Sequence, residues 1–186
     1  MIHPYRSRPR WWLRRLVLFY IKKGKGSVIY RSVRKDIVPF NNFTIGERSV
    51  IEDFSVVNNL VGAINIGNDS RIGIGNVVIG PVSIGSNVNI AQGVVISGLD
   101  HNYEDADTTI ASQGVATKEI VIEDDVWIAA NSVITKGVTI GRHSVVAAGS
   151  LVNRDIPPFC VAGGNPAVIF KKYDPDKGEW IRQVKE

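Results

Sequence analysis

One of the chain's three histidines, His101, stands in the stretch SGLDHNYED, Ser97 to Asp105. A neutral imidazole can take the proton of an acceptor group as that group attacks an electrophile. Its neighbours Asp100, Asn102 and Tyr103 are of types that orient a loop or contact a polar substrate. The other histidines do not join it. His3 lies near the start of the chain and His143 is the fourth residue of a regular repeat. Three imidazoles therefore do not converge, and no zinc site is expected. The single cysteine, Cys160, excludes a disulfide framework and a thiolate metal site.

His101 interrupts the pattern that must position it. Ile45, Ile51 and Val57 are six residues apart. After a three-residue slip come Ile66, Ile72, Val78, Ile84, Ile90 and Ile96, and later Ile122, Ile128, Ile134, Ile140, Val146 and Val152. The position after the aliphatic residue is usually Gly or Ala. The fourth is often Ser or Val. A helix repeats at 3.6 and a strand at 2.0. A period of six fits a short strand followed by a tight turn, stacked into a flat-sided coil. Three hexapeptides per coil give a triangular prism of five coils. Spacing alone fixes neither the three sides nor the hand. Between Ile96 and Ile122 the period fails, and an excursion predicted over 100–119 leaves the coil. A long insertion in a compact solenoid marks function or disorder.

The stretches IGNDSRIGIGN, VWIAANSVITKGVTIGRHSVVAAGSLVNRDIPP and AGGNPAVIFKKY resemble the hexapeptide-repeat acetyltransferases. Within them the chain is most similar to the O-acetyltransferases of sugars, maltose or galactosides and xenobiotics, including those that decorate surface polysaccharides. The likeness covers about residues 45–173. It implies an all-β solenoid, namely a left-handed parallel β-helix, and a homotrimer with active sites between subunits. It also implies acetyl-CoA as co-substrate, held in grooves between neighbouring subunits. In that frame His101 is the general base for direct attack of a sugar or glycan hydroxyl on acetyl-CoA, with no acyl-enzyme. A backbone N–H would stabilise the oxyanion.

Other site residues follow from position and resemblance together. Trp127 precedes the core residue Ile128, so it should face outward and wall the acceptor site with Asp100, Asn102 and Tyr103. Ala129, Ala130, Ala147 and Ala148 keep side chains small on stacked turns, leaving a slot for pantetheine. Small residues also suit turns for their own sake. Asn153, Arg154, Lys171 and Lys172 are the expected nucleotide-end contacts, the cations serving the phosphates. The family often continues Gly-Asn-Pro-Ala with Lys or Arg; here Val168 follows Gly164–Ala167.

Charge is unevenly placed. Of 22 Lys and Arg, eleven lie in residues 1–35, where Asp and Glu are absent; residues 36–186 then hold eleven against 18 acidic residues, a net of −7. The basic, aromatic arm 1–36 is predicted to contain a short helix with Trp12, Leu16 and Phe19 on one face. Two readings fit: a cap on the open solenoid end, or peripheral contact with an anionic membrane. Its apolar run is too short to span a bilayer and lacks a cleavage site. Nucleic acid is not expected. The β-helix is assigned to 37–156. A C-terminal segment over 157–186 should complete the CoA site, with Trp180, Ile181 and Val184 on one face of a short helix. The single cysteine fits a reducing compartment, and a cytoplasmic location is expected, with peripheral contact at the inner face of the membrane as the second reading. Acetylation of an amino sugar or small amine, and a non-catalytic scaffold, remain open beside the O-acetyltransferase reading.

Overall fold

The computed structural model describes residues 16–183. The predicted faces through Trp12 and Val184, like His3, fall outside them. The architecture is a left-handed parallel β-helix. Three sheets form the faces of a prism. Face A stacks Ile21–Lys23, Phe43–Ile45, Ile64–Ile66, Val82–Ile84, Ile120–Ile122 and Thr139–Ile140. Face B stacks Val28–Ile29, Val50–Ile51, Arg71–Ile72, Asn89–Ile90, Trp127–Ile128, Val145–Val146 and Cys160–Gly163. Face C stacks Arg34–Asp36, Val56–Asn58, Val77–Ile79, Val95–Ser97, Val133–Ile134 and Leu151–Val152.

All fifteen aliphatic positions read from the period are buried, none more than 4% exposed. Each face contributes one column: Ile45, Ile66, Ile84, Ile122 and Ile140 pair in register on face A, for example. The small residue that follows has a steric cause. A Cβ on Gly67 would lie 2.5 Å from the carbonyl carbon of Gly85 in the next coil. The serine four places on is buried and satisfies a turn carbonyl: Ser49 donates to Gly67 at 2.7 Å and Ser70 to Gly85 at 2.8 Å. A buried serine hydroxyl left unpaired there would cost about 1–3 kcal/mol.

The solenoid has six complete coils, one more than predicted. The first is Ile21–Asp36, which pairs in parallel with the second on all three faces. The predicted boundary at 36/37 therefore cuts through the prism. Within the predicted N-terminal helix only one turn, Val17–Tyr20, is helical among the described residues, and Ile21 already begins face A. The C-terminal helix is also replaced. Val168–Asp174 runs antiparallel to Cys160–Gly163 and then pairs with Glu179–Arg182, extending face B with a hairpin. Trp180 and Ile181 are consecutive strand residues there. The turn Asp174–Gly178 reverses the chain, with the Gly178 amide on the Asp174 carbonyl and Gly178 at φ +68°.

Every lengthening of the coil occurs at one edge, between face C and the next face A. Links 37–42 and 59–63 are held there by buried Asn59, whose amide donates to the carbonyl of Asn41 and whose oxygen accepts from the Val38 amide. On the same edge Ile66 pairs with Ile84, eighteen residues on, whereas Ile84 pairs with Ile122, thirty-eight on. The excursion carrying His101 supplies the difference.

Candidate functional site

The excursion leaves the coil as an antiparallel ribbon. Leu99–His101 pairs with Val115–Thr117, placing His101 opposite Val115. Its far end is closed by side chains rather than by a core. The Gln113 amide donates to the carbonyls of Asp105 and Thr108, and its oxygen accepts from the Asp105 N–H. Asn102 donates to the Gln113 carbonyl at 3.0 Å, so its amide nitrogen holds the loop. Glu104 accepts from the Tyr103 N–H, and backbone hydrogen bonding keeps its carboxyl below the usual range. Asp100 forms an ion pair with Lys136 at 3.1 Å.

His101 and Tyr103 differ from these side chains. Among the described residues the His101 imidazole has no hydrogen-bond partner, and it is exposed. The phenol of Tyr103 is exposed as well. A base must be reachable by its proton donor, and this histidine is.

Face C of coils four to six lies between two edges of different character. His101, Asp100 and Lys136 occupy one. The other is the predicted alanine edge. There the Ala129 amide donates to Val146, the Gly149 amide to Ala130 and the Ala147 amide to Ala162, each at 2.8–2.9 Å. Gly164–Ala167 continues this edge upward, with the Leu151 amide on Gly164 and the Ala167 amide on Leu151. Between the edges Val133 is exposed and Leu151 half-exposed. The strip is on the order of 16 Å wide, five residues at roughly 3.3 Å each.

Other expected residues lie elsewhere. Trp127 is 50% exposed, pointing outward as predicted, but on face B beside Asn89 and Val145. Asn153 and Arg154 are exposed beyond Val152, at the His101 edge. Lys171 and Lys172 are exposed opposite Val161 and Cys160 on the face B hairpin. One chain thus does not gather Arg154 with the two lysines, nor Trp127 with His101.

Lys136 and Gln113 escaped the sequence reading. Lys136 was legible through the period: it lies two residues past Ile134, as Gly98 lies two past Ile96, and those columns are paired. Gln113 had no such signal.

His143 occupies a different edge, between faces A and B. Turn residues there stack as a ladder: Arg48 bonds Asp69, and His143 bonds Asp125 through Nδ1. The His143 ring also lies 5.4 Å from Phe159 and stacks on Trp180 at 6.1 Å. A cleft of about 450 Å³ opens beside it, lined by Glu123, Asp124, Asp125, Arg142 and Phe159 among others. It contains none of the expected site residues. No group of three His, Cys, Asp or Glu among the described residues is arranged to hold a metal.

The profile of the family "Bacterial transferase hexapeptide (six repeats)" matches residues 119–154. Curated proteins give no significant match. Among solved structures the chain is similar to VCA0836 of Vibrio cholerae O1 biovar eltor, a hexapeptide-repeat containing acetyltransferase complexed with acetyl coenzyme A. Identity is 30%, over 87% of this chain and 75% of that one, with a TM-score of 0.59. It is also similar to AntD of Bacillus cereus, an N-acyltransferase in complex with dTDP and 3-hydroxybutyryl-CoA, at 20% identity, 88% and 89% coverage and a TM-score of 0.74. A mutant of AntD, in complex with dTDP-4-amino-4,6-dideoxyglucose and coenzyme A, gives 20%, 88%, 90% and 0.73. The chain belongs to the hexapeptide-repeat transferase family.

Proposed function

We propose that this chain is an acetyl-CoA-dependent O-acetyltransferase acting on a hydroxyl of a sugar or glycan, with a surface-polysaccharide precursor as the acceptor class. The observation that carries the reading is the exposed imidazole of His101, which has no hydrogen-bond partner among the described residues, at one edge of a strip whose other edge is lined by small residues. The pantetheine arm lies along Ala129, Ala130, Ala147 and Ala148, bringing the thioester across face C toward His101. Lys171, Lys172, Arg154 and Asn153 are the candidates for the nucleotide end.

The acceptor oxygen attacks the thioester carbonyl as His101 takes its proton. The C–O bond forms and the carbonyl electrons move onto oxygen, which a backbone N–H stabilises. Collapse of the tetrahedral species breaks the C–S bond, and the proton passes from His101 to the departing CoA thiolate. The site in one chain is open to solvent. A homotrimer supplies the second wall, and Trp127 and the lysines of a neighbouring subunit then face the His101 edge. Use of acetyl-CoA supports a cytoplasmic location for the reaction.

A second reading, transfer to an amine of an amino sugar, has its own support. Glu104, Asp105 and Asp107 are exposed on the same excursion as His101, an acidic loop that suits an acceptor arriving as a cation, and AntD is an N-acyltransferase. A thiol-release assay with acetyl-CoA against matched sugars and amino sugars separates the two. Turnover with hydroxyl acceptors, lost in His101→Ala, is expected. Turnover confined to amino sugars replaces the first reading with the second. Failure to bind CoA at all removes both.

A further inference from the structure

The first coil keeps the six-residue spacing but changes its chemistry. Lys23 pairs in register with Ile45, and Lys35 with Val57. Two of the three core columns therefore end in lysine, where every later coil has Ile or Val. Lysine stems can cover apolar surface while their ammonium groups reach solvent. Lys35 is partly buried, donates to the Val33 carbonyl at 2.8 Å, and has its pKa lowered by burial and then by the nearby charge of Lys23. Lys22, Lys25 and Arg31 are exposed on the same coil.

No acid offsets these cations. Between residues 16 and 36 the sole carboxylate is Asp36, which is buried and paired with Arg34. The carboxylates of the second coil are engaged elsewhere: Glu47 with Arg48, Glu52 with Arg71 and Asp53 with Ser32. Among the described residues Lys22, Lys23, Lys25 and Arg31 have no ion-pair partner. Exposed apolar side chains flank the same coil in the chain. Phe19 is 83% exposed and Phe40 63%, and Leu16 and Tyr30 are exposed too. Residues 1–15, which precede this coil in the chain, add five arginines, two tryptophans and no acid in sequence.

We propose that the first-coil end of the prism docks on an anionic lipid bilayer, with the prism axis standing upright on it. Charge complementarity commits the surface to this occupant. A second copy of the same end would bring Lys23 and Lys35 against their own kind. Among the described residues this end is set by the edge strands of the three faces, which lie in one coil. A plane of headgroups matches that shape, and phenylalanine and leucine with no polar tip suit its acyl boundary. Residues 36–186, at a net charge of −7, are repelled by the same membrane and orient the molecule end-on.

The test uses the full chain with phosphatidylcholine vesicles, with and without one third phosphatidylglycerol, in co-sedimentation at rising salt. Binding to the anionic vesicles alone, weakened by salt, is expected. The triple variant Lys22→Glu/Lys23→Glu/Lys25→Glu should lower partitioning more than about tenfold. Lys171→Glu/Lys172→Glu, with charge reversals on the far coils, should bind as the wild type. Phe19→Ser/Phe40→Ser should remove the part of the binding that survives salt. Circular dichroism melts confirm that each variant folds. A first-coil variant that partitions like the wild type overturns the proposal, as does equal loss in the far-end variant. So does failure on vesicles accompanied by salt-sensitive binding to an RNA oligonucleotide. Acyl transfer plays no part in the readout, so this inference and the proposed function can fail independently.

Discussion

His101 and His143 are both exposed histidines on edges of the same prism, and their surroundings are opposite. The His143 ring is bonded to Asp125 and packed against Phe159 and Trp180. It sits at a turn position with φ +55°, in the same column as Asp125 at +59° and Asn87 at +58°. The His101 imidazole bonds to nothing among the described residues, although the loop beneath it is held by Gln113, Asn102 and Lys136. One histidine spends its ring on the fold. The other has its backbone fixed by the fold and its ring left free. Residue type and exposure did not separate them; the partners of the ring did.

The sharpest way to break this contrast is to remove each ring. His101→Ala should lower turnover by about 10²-fold or more, the usual contribution of a general base. His143→Ala should leave turnover essentially intact under the same thiol-release assay. Equal losses in the two variants would erase the distinction. In urea unfolding the order reverses. His143→Ala should lose about 1 kcal/mol, mainly from its ring contacts, since an exposed ion pair contributes little. His101→Ala should unfold like the wild type.

The loop beneath His101 offers a finer test. Lys136→Ala frees Asp100 and loosens the base of the excursion. Turnover should drop on the order of tenfold, less than with the base removed, because the imidazole is misplaced rather than absent. The KM for acetyl-CoA should stay unchanged, and Lys136→Arg should restore the rate. The ladder of His143 gives the smallest effect. Its Arg48–Asp69 rung holds the Asp69 carboxyl below its ordinary range through the Arg48 hydrogen bond. A lowered folded pKa contributes stability above the unfolded value, lost as pH falls through the folded one. Asp69→Asn should therefore flatten the acid limb of the unfolding profile slightly, between about pH 2 and 5. High salt should produce the same flattening.

The period of six made the core legible because all fifteen of its residues were aliphatic and each sits on a buried column. It hid the first coil for the same reason. Lys23, Ile29 and Lys35 keep the spacing, but two lysines do not read as core, and residues 21–36 were assigned to an arm. The C-terminal hairpin was missed because Trp180 and Ile181 suggest one helical face when spacing alone is considered. Among the candidate residues, His101 was marked by the broken period, and Trp127 was placed outward by its neighbour Ile128, though on face B rather than beside His101. The separation of Arg154 from Lys171 and Lys172 was not legible. It depends on which edge each turn reaches, and the chain after Val152 no longer follows the repeat.

All the extra length in the solenoid enters at the edge between faces C and A, and the spacing from face A to B to C never changes. The excursion is closed at its root by two backbone bonds, from the Lys118 amide to Gly98 and from the Ile120 amide to Pro81. Everything beyond that root is invisible to the aliphatic columns. The edge therefore behaves as a cassette slot. A ribbon of another length and composition can be spliced between Gly98 and Ile120 without moving any buried Ile or Val out of register. The ribbon and the prism are then heritable separately, and under the proposed function a change of acceptor would need no change in the repeat.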